Sequence, residues 1–307
     1  MVTTQAKHLV VAINPSASFG STRGVGPRVV DALRKLGHTV TALTEPDAKS
    51  LLAAARAAVA TRPDALIVVG GDGMVNLGAN LVAGSEVPLG IIPSGTGNDM
   101  SRGLGIPLDD PERAIETLVA ALQKPARVID AMRVSWPATE GEPAGERWSA
   151  GSMSAGFDAI VNERANSMRH PKGPSRYILA LLVELVRLAP ISYRLAFDDE
   201  VLEIEALMVS VGNNSSLGGG MKITPDAKFD DGLLDVMIVT PLSRLAFLRI
   251  FPRVFAGTHV TDPRVILRQA KRIRIEAKGI VAYGDGERFA PLPLDLEVVP
   301  GALKVLV

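Results

Sequence analysis

The stretch Ala65-Leu66-Ile67-Val68-Val69-Gly70-Gly71-Asp72-Gly73 decides the fold. Its apolar, β-branched run predicts a buried strand, its glycines a tight turn, and the apolar-periodic residues Met74 to Val82 a helix. The pattern then repeats: Leu89-Gly90-Ile91-Ile92 reads as a strand and runs into Pro93-Ser94-Gly95-Thr96-Gly97-Asn98-Asp99. Such a βα-βα arrangement builds an open parallel sheet, which binds ligands at the carboxyl ends of its strands. Both glycine-rich turns fall at such ends. Glycine lets a backbone approach a phosphate without a Cβ, and the free N–H groups of the following helix favour negative charge. A carboxylate beside those amides repels a bare phosphate. Asp72 and Asp99 therefore make sense if they hold Mg²⁺, a ribose hydroxyl or a reacting hydroxyl, and a nucleotide with its metal satisfies all of these.

Working outward, His8 to Ile13 predicts the first strand, Gly24 to Leu36 a helix stopped at Gly37, and Thr39 to Leu43 the second strand. Asp47 is placed to N-cap a helix reaching Thr61, ended by Pro63. Asp110-Pro111-Glu112 joins a capping residue, a proline at the first helical position and an early acid, so a helix is expected to Gln123. This alternation predicts a doubly wound domain over residues 1–131. Beyond it come short alternating runs: Arg133 to Trp136, Trp148 to Met153, Ser192 to Phe197, Ala206 to Val211 and Leu233 to Val239. They predict a mainly antiparallel domain over residues 132–298, with helices inserted at Ala159 to Arg169, Arg176 to Leu188 and Leu242 to Phe255. The polar segment Pro137 to Glu146 is expected to be an exposed hairpin loop.

Acids and bases balance at 33 each, and no Lys/Arg-rich run carries interleaved aromatics, so no nucleic-acid partner is expected. The absence of cysteine removes disulfides, thiolate nucleophiles and Cys-ligated zinc, and fits a cytoplasmic protein. Ser94 lacks the Gly-x-Ser-x-Gly elbow of a hydrolase nucleophile. Met1 to Lys7 lacks the apolar core of a signal peptide. Tyr177 to Leu188, the longest apolar region, is interrupted by Glu184 and is shorter than the roughly 20 residues of a spanning helix, so any membrane contact is expected to be peripheral. Val236 to Thr261 contains no acid, while Arg244, Arg249 and Arg253 interleave with Leu245, Phe247, Leu248, Ile250, Phe251 and Phe255. The residues admit either an interfacial surface or an apolar helix packed on the sheet with snorkelling arginines. A second basic segment, Arg164 to Arg176, broken by Pro171, Gly173 and Pro174, reads as a lid or a plain loop.

The two glycine turns have companions in order along the chain: Asn14-Pro15, Ile129-Asp130, Ala155-Gly156-Phe157-Asp158-Ala159, Gly212-Asn213-Asn214, Thr224-Pro225-Asp226-Ala227, Asp230-Asp231-Gly232-Leu233-Leu234-Asp235 and Asp285-Gly286-Glu287. Together they resemble the diacylglycerol kinase catalytic family, the bacterial soluble lipid kinases related to sphingosine and ceramide kinases. The resemblance implies a β-sandwich-like second domain that takes the lipid, a C-terminal segment 299–307 returning to the first domain, and an active site in the cleft between the domains. It further implies an ATP- and Mg²⁺-dependent kinase acting on a primary hydroxyl of a membrane-presented lipid such as diacylglycerol, cytoplasmic and peripherally membrane-associated during turnover. A homodimer is compatible with it. Two departures stand out: Met74-Val75-Asn76-Leu77 replaces the usual Thr-x-Asn-Glu, and Ser18-Phe19-Gly20 occupies a region that is usually Ser-Gly-rich. A soluble-substrate kinase of NAD kinase type is the enzymatic alternative. A nucleotide- or lipid-binding protein without chemistry, motivated by Met74 and Leu77, is the other.

Phosphoryl transfer asks for positioning, charge neutralisation and a base for the attacking hydroxyl. The candidate nucleotide-binding residues are Asn14, Gly70, Gly71, Asp72, Gly73, Asn76, Ser94, Gly95, Thr96, Gly97, Asn98, Asp99, Asp285 and Gly286. Asn14 can reach a phosphate or make an Asx turn, and Asp99 can cap its helix even without a ligand. Asp130 either enters the active site or is a structural carboxylate. Asp72, Asp99, Asp130 and Glu287 form the candidate catalytic set. The resemblance makes Glu287 the general base, whereas its residues alone read as a hairpin turn. By the same resemblance Asp231, with carbonyls at Lys228 and Leu233, holds a Mg²⁺ away from the reacting centre, in a turn that otherwise reads as a plain Asp-Gly hairpin.

Overall fold

A computed structural model describes residues 5–14, 24–139, 143–168, 170, 174–284 and 287–307. The chain divides into two units, Met1–Ala131 with Pro300–Val307, and Met132–Val299.

The first unit alternates as its sequence implies: β1 (His8–Ile13), α1 (Val25–Lys35), β2 (Thr39–Leu43), α2 (Ala48–Val59), β3 (Ala65–Gly70), α3 (Asp72–Val82), β4 (Leu89–Pro93), α4 (Asp99–Gly103) and α5 (Pro111–Ala121). The strands run parallel in the order β2-β1-β3-β4, with Leu9 beside Ala65 and Leu66 beside Leu89. Helices cover both faces. A Cβ on Gly78 of α3 would meet Val68 and Leu89, while one on Gly90 would meet Leu118 of α5 and Ile67, so consecutive β3 residues face opposite helices. That is why β3 and β4 are buried throughout and read as unbroken apolar runs. Asp47 caps α2 by accepting from the Ser50 N–H at 2.8 Å, and Asp110 caps α5 by accepting from Glu112 and Arg113.

The chain leaves this unit along β5 (Arg127–Trp136) and returns along β16 (Leu294–Leu306), whose Val305 and Leu306 pair parallel with Leu89 and Gly90. Between them lie β6 (Gly145–Ser149), β7 (Ser152–Gly156), α6 (Phe157–Ser167), α7 (Pro174–Val186), β8 (Ile191–Phe197), β9 (Val201–Ala206), β10 (Met208–Gly212), β11 (Leu234–Val239), α8 (Arg244–Ile250), β12 (Val265–Ala270), β13 (Arg272–Glu276), β14 (Val281–Gly284) and β15 (Glu287–Pro291). In the second unit β6-β5-β16-β13-β8-β9 forms one sheet and β12-β11-β10-β7-β14-β15 the other, the latter antiparallel throughout. Met132, Val134, Met153, Tyr193, Leu195, Val209, Val236 and Leu296 belong to the core between them. The other face of the second sheet carries a further apolar layer, in which Met208, Met237 and Val239 pack with Phe157, Ala180, Leu185 and Phe247 of α6, α7 and α8. β7, β10 and β11, covered on both faces, are buried at every residue.

Several second-unit boundaries differ from expectation. Trp148 to Met153 is two strands, since the chain breaks pairing at Ala150-Gly151 and β7 joins the other sheet. β6 starts at Gly145, inside the expected Pro137 to Glu146 loop, of which residues 140–142 lie outside the described residues. Ala206 to Val211 is divided at Leu207, whose N–H donates to the Val239 carbonyl. Leu242 to Phe255 is α8 followed by a 3-10 turn, Phe251–Val254, where Pro252 supplies no N–H to continue the α-helix.

Candidate functional site

The ends of β1, β3 and β4 bring the first-unit candidates together. The Asn14 N–H donates to the Val69 carbonyl at 3.0 Å and the Ser94 N–H to the Gly70 carbonyl at 2.9 Å, which ties the three strand ends side by side. The two glycine turns then touch backbone to backbone. A Cβ on Gly95 would lie 2.4 Å from Gly71 Cα and 2.9 Å from its nitrogen. A Cβ on Gly71 would lie 3.1 Å from Gly95 Cα. No larger residue fits without moving a main chain, so the spacing of these motifs records a close approach as well as two turns.

Asn98 locks the second loop. It sits in the left-handed region at φ 53°, accepts the Gly95 N–H on Oδ1 at 3.0 Å, and returns a hydrogen bond from Nδ2 to the Gly95 carbonyl at 2.9 Å. Asn98, not Asp99, occupies the cap position of α4. Asp99 is instead the first helical residue, buried, with the Arg102 Nε 3.9 Å from its Oδ1. Asp72 opens α3 and reaches across to α4, where the Met100 N–H donates to its Oδ1 at 3.2 Å. Burial pushes the Asp72 carboxyl upward most strongly and the neighbouring Asp99 charge adds to it, while N–H groups of Met100, Asp99 and Asn98 partly offset both. Thr96 is exposed at the loop tip, and Asn76 is buried on α3 with the Asn80 amide bonded to its carbonyl. Ser94 Oγ is buried with no hydrogen-bond partner.

These features suit a nucleoside triphosphate: a cradle that a Cβ would fill, an unpartnered hydroxyl beside it, and an aspartate held by backbone amides. Asp130 has a different setting. It is buried, and its Oδ1 accepts the Gly301 N–H at 2.9 Å, which ties the returning C-terminal segment to β5.

In the second unit, Glu287 is exposed at the start of β15 and pairs across the hairpin with Gly284, while Asp285 and Gly286 lie outside the described residues, as do Pro15, the Ser18-Phe19-Gly20 segment, Pro171 and Gly173. The Asp231 Oδ1 accepts the Leu233 N–H at 3.1 Å, an Asx turn around Gly232 at φ 72°. Among the described residues no group of three or more His, Asp or Glu side chains is gathered as for a metal ion. Asp235 follows that turn, pushed up to about 6 chiefly by burial, with Gln269 donating to it at 3.0 Å. Asp158 belongs to the motif Ala155-Gly156-Phe157-Asp158-Ala159, to which the sequence assigns no chemistry. It is half-buried at the start of α6, its carboxyl raised by burial, with the Ser154 hydroxyl on one oxygen and the other oxygen unpartnered.

Residues 8–131 match the diacylglycerol kinase catalytic domain, and residues 151–307 match the YegS C-terminal NAD kinase beta sandwich-like domain. The chain is 38% identical over 294 residues to a diacylglycerol kinase of Mycobacterium tuberculosis, spanning 95% of this chain and 93% of that one. It is 25% identical over 290 residues to a diacylglycerol kinase of Bacillus subtilis, spanning 94% and 92%. A crystal structure of a diacylglycerol kinase from Bacillus anthracis superposes with TM-score 0.69 at 22% identity, covering 99% of this chain and 97% of that one. An NAD kinase from Archaeoglobus fulgidus in complex with ATP superposes with TM-score 0.53 at 14% identity, covering 98% and 93%. At these identities the two structures speak for the fold alone: a parallel-sheet α/β unit followed by an antiparallel β unit.

Proposed function

The chain belongs to the diacylglycerol kinase family and is an enzyme of the lipid kinase class, and from that premise we propose that it transfers the γ-phosphate of ATP to a primary hydroxyl of diacylglycerol or a related lipid. The observation that carries this reading is the backbone-to-backbone seat of Gly71 and Gly95, flanked by Asp72 and the unpartnered Ser94 hydroxyl. When bound, ATP with Mg²⁺ supplies the phosphoryl group and the charge that offsets its oxygens.

The protein's own part is positioning and proton transfer. N–H groups of Gly70 to Gly73 and Gly95 to Asn98 hold phosphate oxygens, with the Ser94 and Thr96 hydroxyls, the amides of Asn14 and Asn76, and Asp285-Gly286 completing the nucleotide contacts. Asp72 and Asp99 hold the metal or a ribose hydroxyl. Asp72 is favoured for the metal, since a nearby cation offsets the burial and like-charge repulsion that raise its carboxyl. Glu287 takes the proton of the acceptor hydroxyl as it attacks. Asp130 is a positioning residue, through its hold on Gly301. Asp231, with the carbonyls of Lys228 and Leu233, holds a second Mg²⁺ with a structural role. Loss of activity in Asp231→Ala supports that site, and unchanged activity and magnesium dependence remove it.

The test is transfer from radiolabelled ATP to a panel of lipid and water-soluble acceptors, NAD included, for the wild type, Asp72→Ala and Glu287→Gln. Label in a diacylglycerol-type lipid, lost in both variants, is expected. Label in no lipid defeats the lipid reading, label in NAD installs the soluble-substrate one, and transfer indifferent to both substitutions defeats the site.

A further inference from the structure

Arg147 stands where the sandwich calls for an apolar side chain. On β6 it lies opposite Val134, which belongs to the core between the two sheets, and directly opposed residues share a face, so Arg147 is on the inward side of its strand. Other arginines of this sheet show the usual arrangement. Arg133, Arg194, Arg272 and Arg274 alternate with core residues and so stand on the outward face, each within ion-pair distance of a glutamate or aspartate. Arg147 is half-buried and has no such acid among the described residues. Its guanidinium reaches the other sheet instead: Cζ lies 5.5 Å from the centroid of the Phe289 ring, a cation–π distance, and Nη1 donates to the Arg288 carbonyl at 3.5 Å. Both partners belong to β15, the end strand of the second sheet and the strand that Glu287 opens.

That strand has to be held in place. The Glu287 side chain is exposed and has neither a hydrogen bond nor an ion pair among the described residues, so its backbone sets where the carboxylate stands. The backbone of Glu287 pairs with Gly284, and the Phe289 ring enters the space that a side chain on Gly284 would fill, its Cε2 2.6 Å from where that Cβ would be. The ring thus sets the spacing of the two hairpin arms. A guanidinium on its face, bonded also to the next carbonyl, removes its freedom to shift. An inward charge on an edge strand also deters pairing with another chain, and any cation at this position would serve that end. The contacts with ring and carbonyl go beyond what that simpler role requires.

We propose that Arg147 is a positioning residue for phosphoryl transfer, clamping β15 from the opposite sheet so that the Glu287 carboxylate meets the acceptor hydroxyl. The proposal rests on the reading of Glu287 as the base, and its test separates the two.

That test is steady-state kinetics with ATP, Mg²⁺ and micelle-dispersed diacylglycerol for wild type, Arg147→Met, Arg147→Lys, Glu287→Gln and the double variant Arg147→Met with Glu287→Gln. Methionine keeps an apolar stem on an inward face, so melting temperature and affinity for a non-hydrolysable ATP analogue are expected to stay at wild-type values. Arg147→Met should lower kcat by about 10- to 10²-fold, the cost of a displacement on the order of 1 Å, with KM for ATP within about twofold. Arg147→Lys should recover part of that loss, since the ammonium keeps its attraction to the ring face. In the Glu287→Gln background Arg147→Met should cost less than about twofold, because its effect passes through a carboxylate already removed. Wild-type kcat in Arg147→Met overturns the proposal, and so does an undiminished loss in the Glu287→Gln background or a kcat in Arg147→Lys no better than in Arg147→Met. A fall in melting temperature or ATP affinity that accounts for the lost activity also overturns it, as the mark of a merely structural residue. Wild-type kcat in Glu287→Gln defeats the base reading whatever Arg147 does, while loss in Glu287→Gln beside wild-type kcat in Arg147→Met defeats this proposal alone.

Discussion

Gly95 in the first unit and Gly284 in the second each stand where a side chain has no room, and they differ in what fills that room. In the first unit a Cβ on Gly95 would strike the main chain of Gly71 at 2.4 Å. In the second, a Cβ on Gly284 would strike the Phe289 ring at 2.6 Å, the movable end of a side chain. The proposed nucleotide seat is thus built from backbone that cannot yield, whereas the hairpin that carries Glu287 is bordered by groups that can. A site of the first kind is specified by glycines; a site of the second kind depends on one side chain's chemistry.

The comparison can be broken most severely at Gly95. Gly95→Val should abolish ATP binding in a titration and lower the melting temperature, because neither loop can retreat; retention of binding would show that the seat is not this contact. Next in size, Glu287→Gln should lower kcat by about 10²–10⁴-fold, the usual worth of a positioned proton acceptor, while leaving ATP affinity within about twofold. Gly284→Ala sharpens the contrast: rotation of Phe289 should limit the cost to about 1–3 kcal/mol in denaturant unfolding, with ATP affinity unchanged.

The smallest effect is a pH dependence confined to the second unit. His259 is buried, its ring nitrogen 3.2 Å from the Ile223 carbonyl, and burial holds its pKa below the ordinary value with Arg253 adding to the effect. The folded state therefore resists protonating it. The stability that follows is complete above about pH 6.5 and is lost as pH falls below that toward the lower folded value, at no more than about 1.4 kcal/mol per pH unit. His259→Gln should flatten the decline in unfolding free energy between about pH 6.5 and pH 5; an identical slope would contradict the assignment.

The same division governs what a reader of the chain can see. β1 and β2 run from His8 to Ile13 and from Thr39 to Leu43 as expected, because parallel strands bounded by turns read as local signals and their helices carry their own caps, Asp47 and Asp110. The strands β12 and β13 went unread. Arg272-Ile273-Arg274-Ile275-Glu276 does alternate with period two, but its outward charges find partners far away in sequence, Asp295 for Arg274 and Arg194 for Glu276. β7 and β11 hide the alternation altogether, being covered on both faces. At the candidate site, the glycines and aspartates were legible as residue types. The contact of Gly71 with Gly95, the bridge from Asp72 to Met100 and the burial of Asp158 were not, since each exists only once separate segments pack.

The central claim is that the paired glycine turns of the first unit seat a nucleoside triphosphate. Isothermal titration of a non-hydrolysable ATP analogue with Mg²⁺ into wild type, Gly95→Val and Glu287→Gln tests it most directly. The account predicts binding to wild type and Glu287→Gln with equal affinity and none to Gly95→Val; equal binding to all three would contradict it.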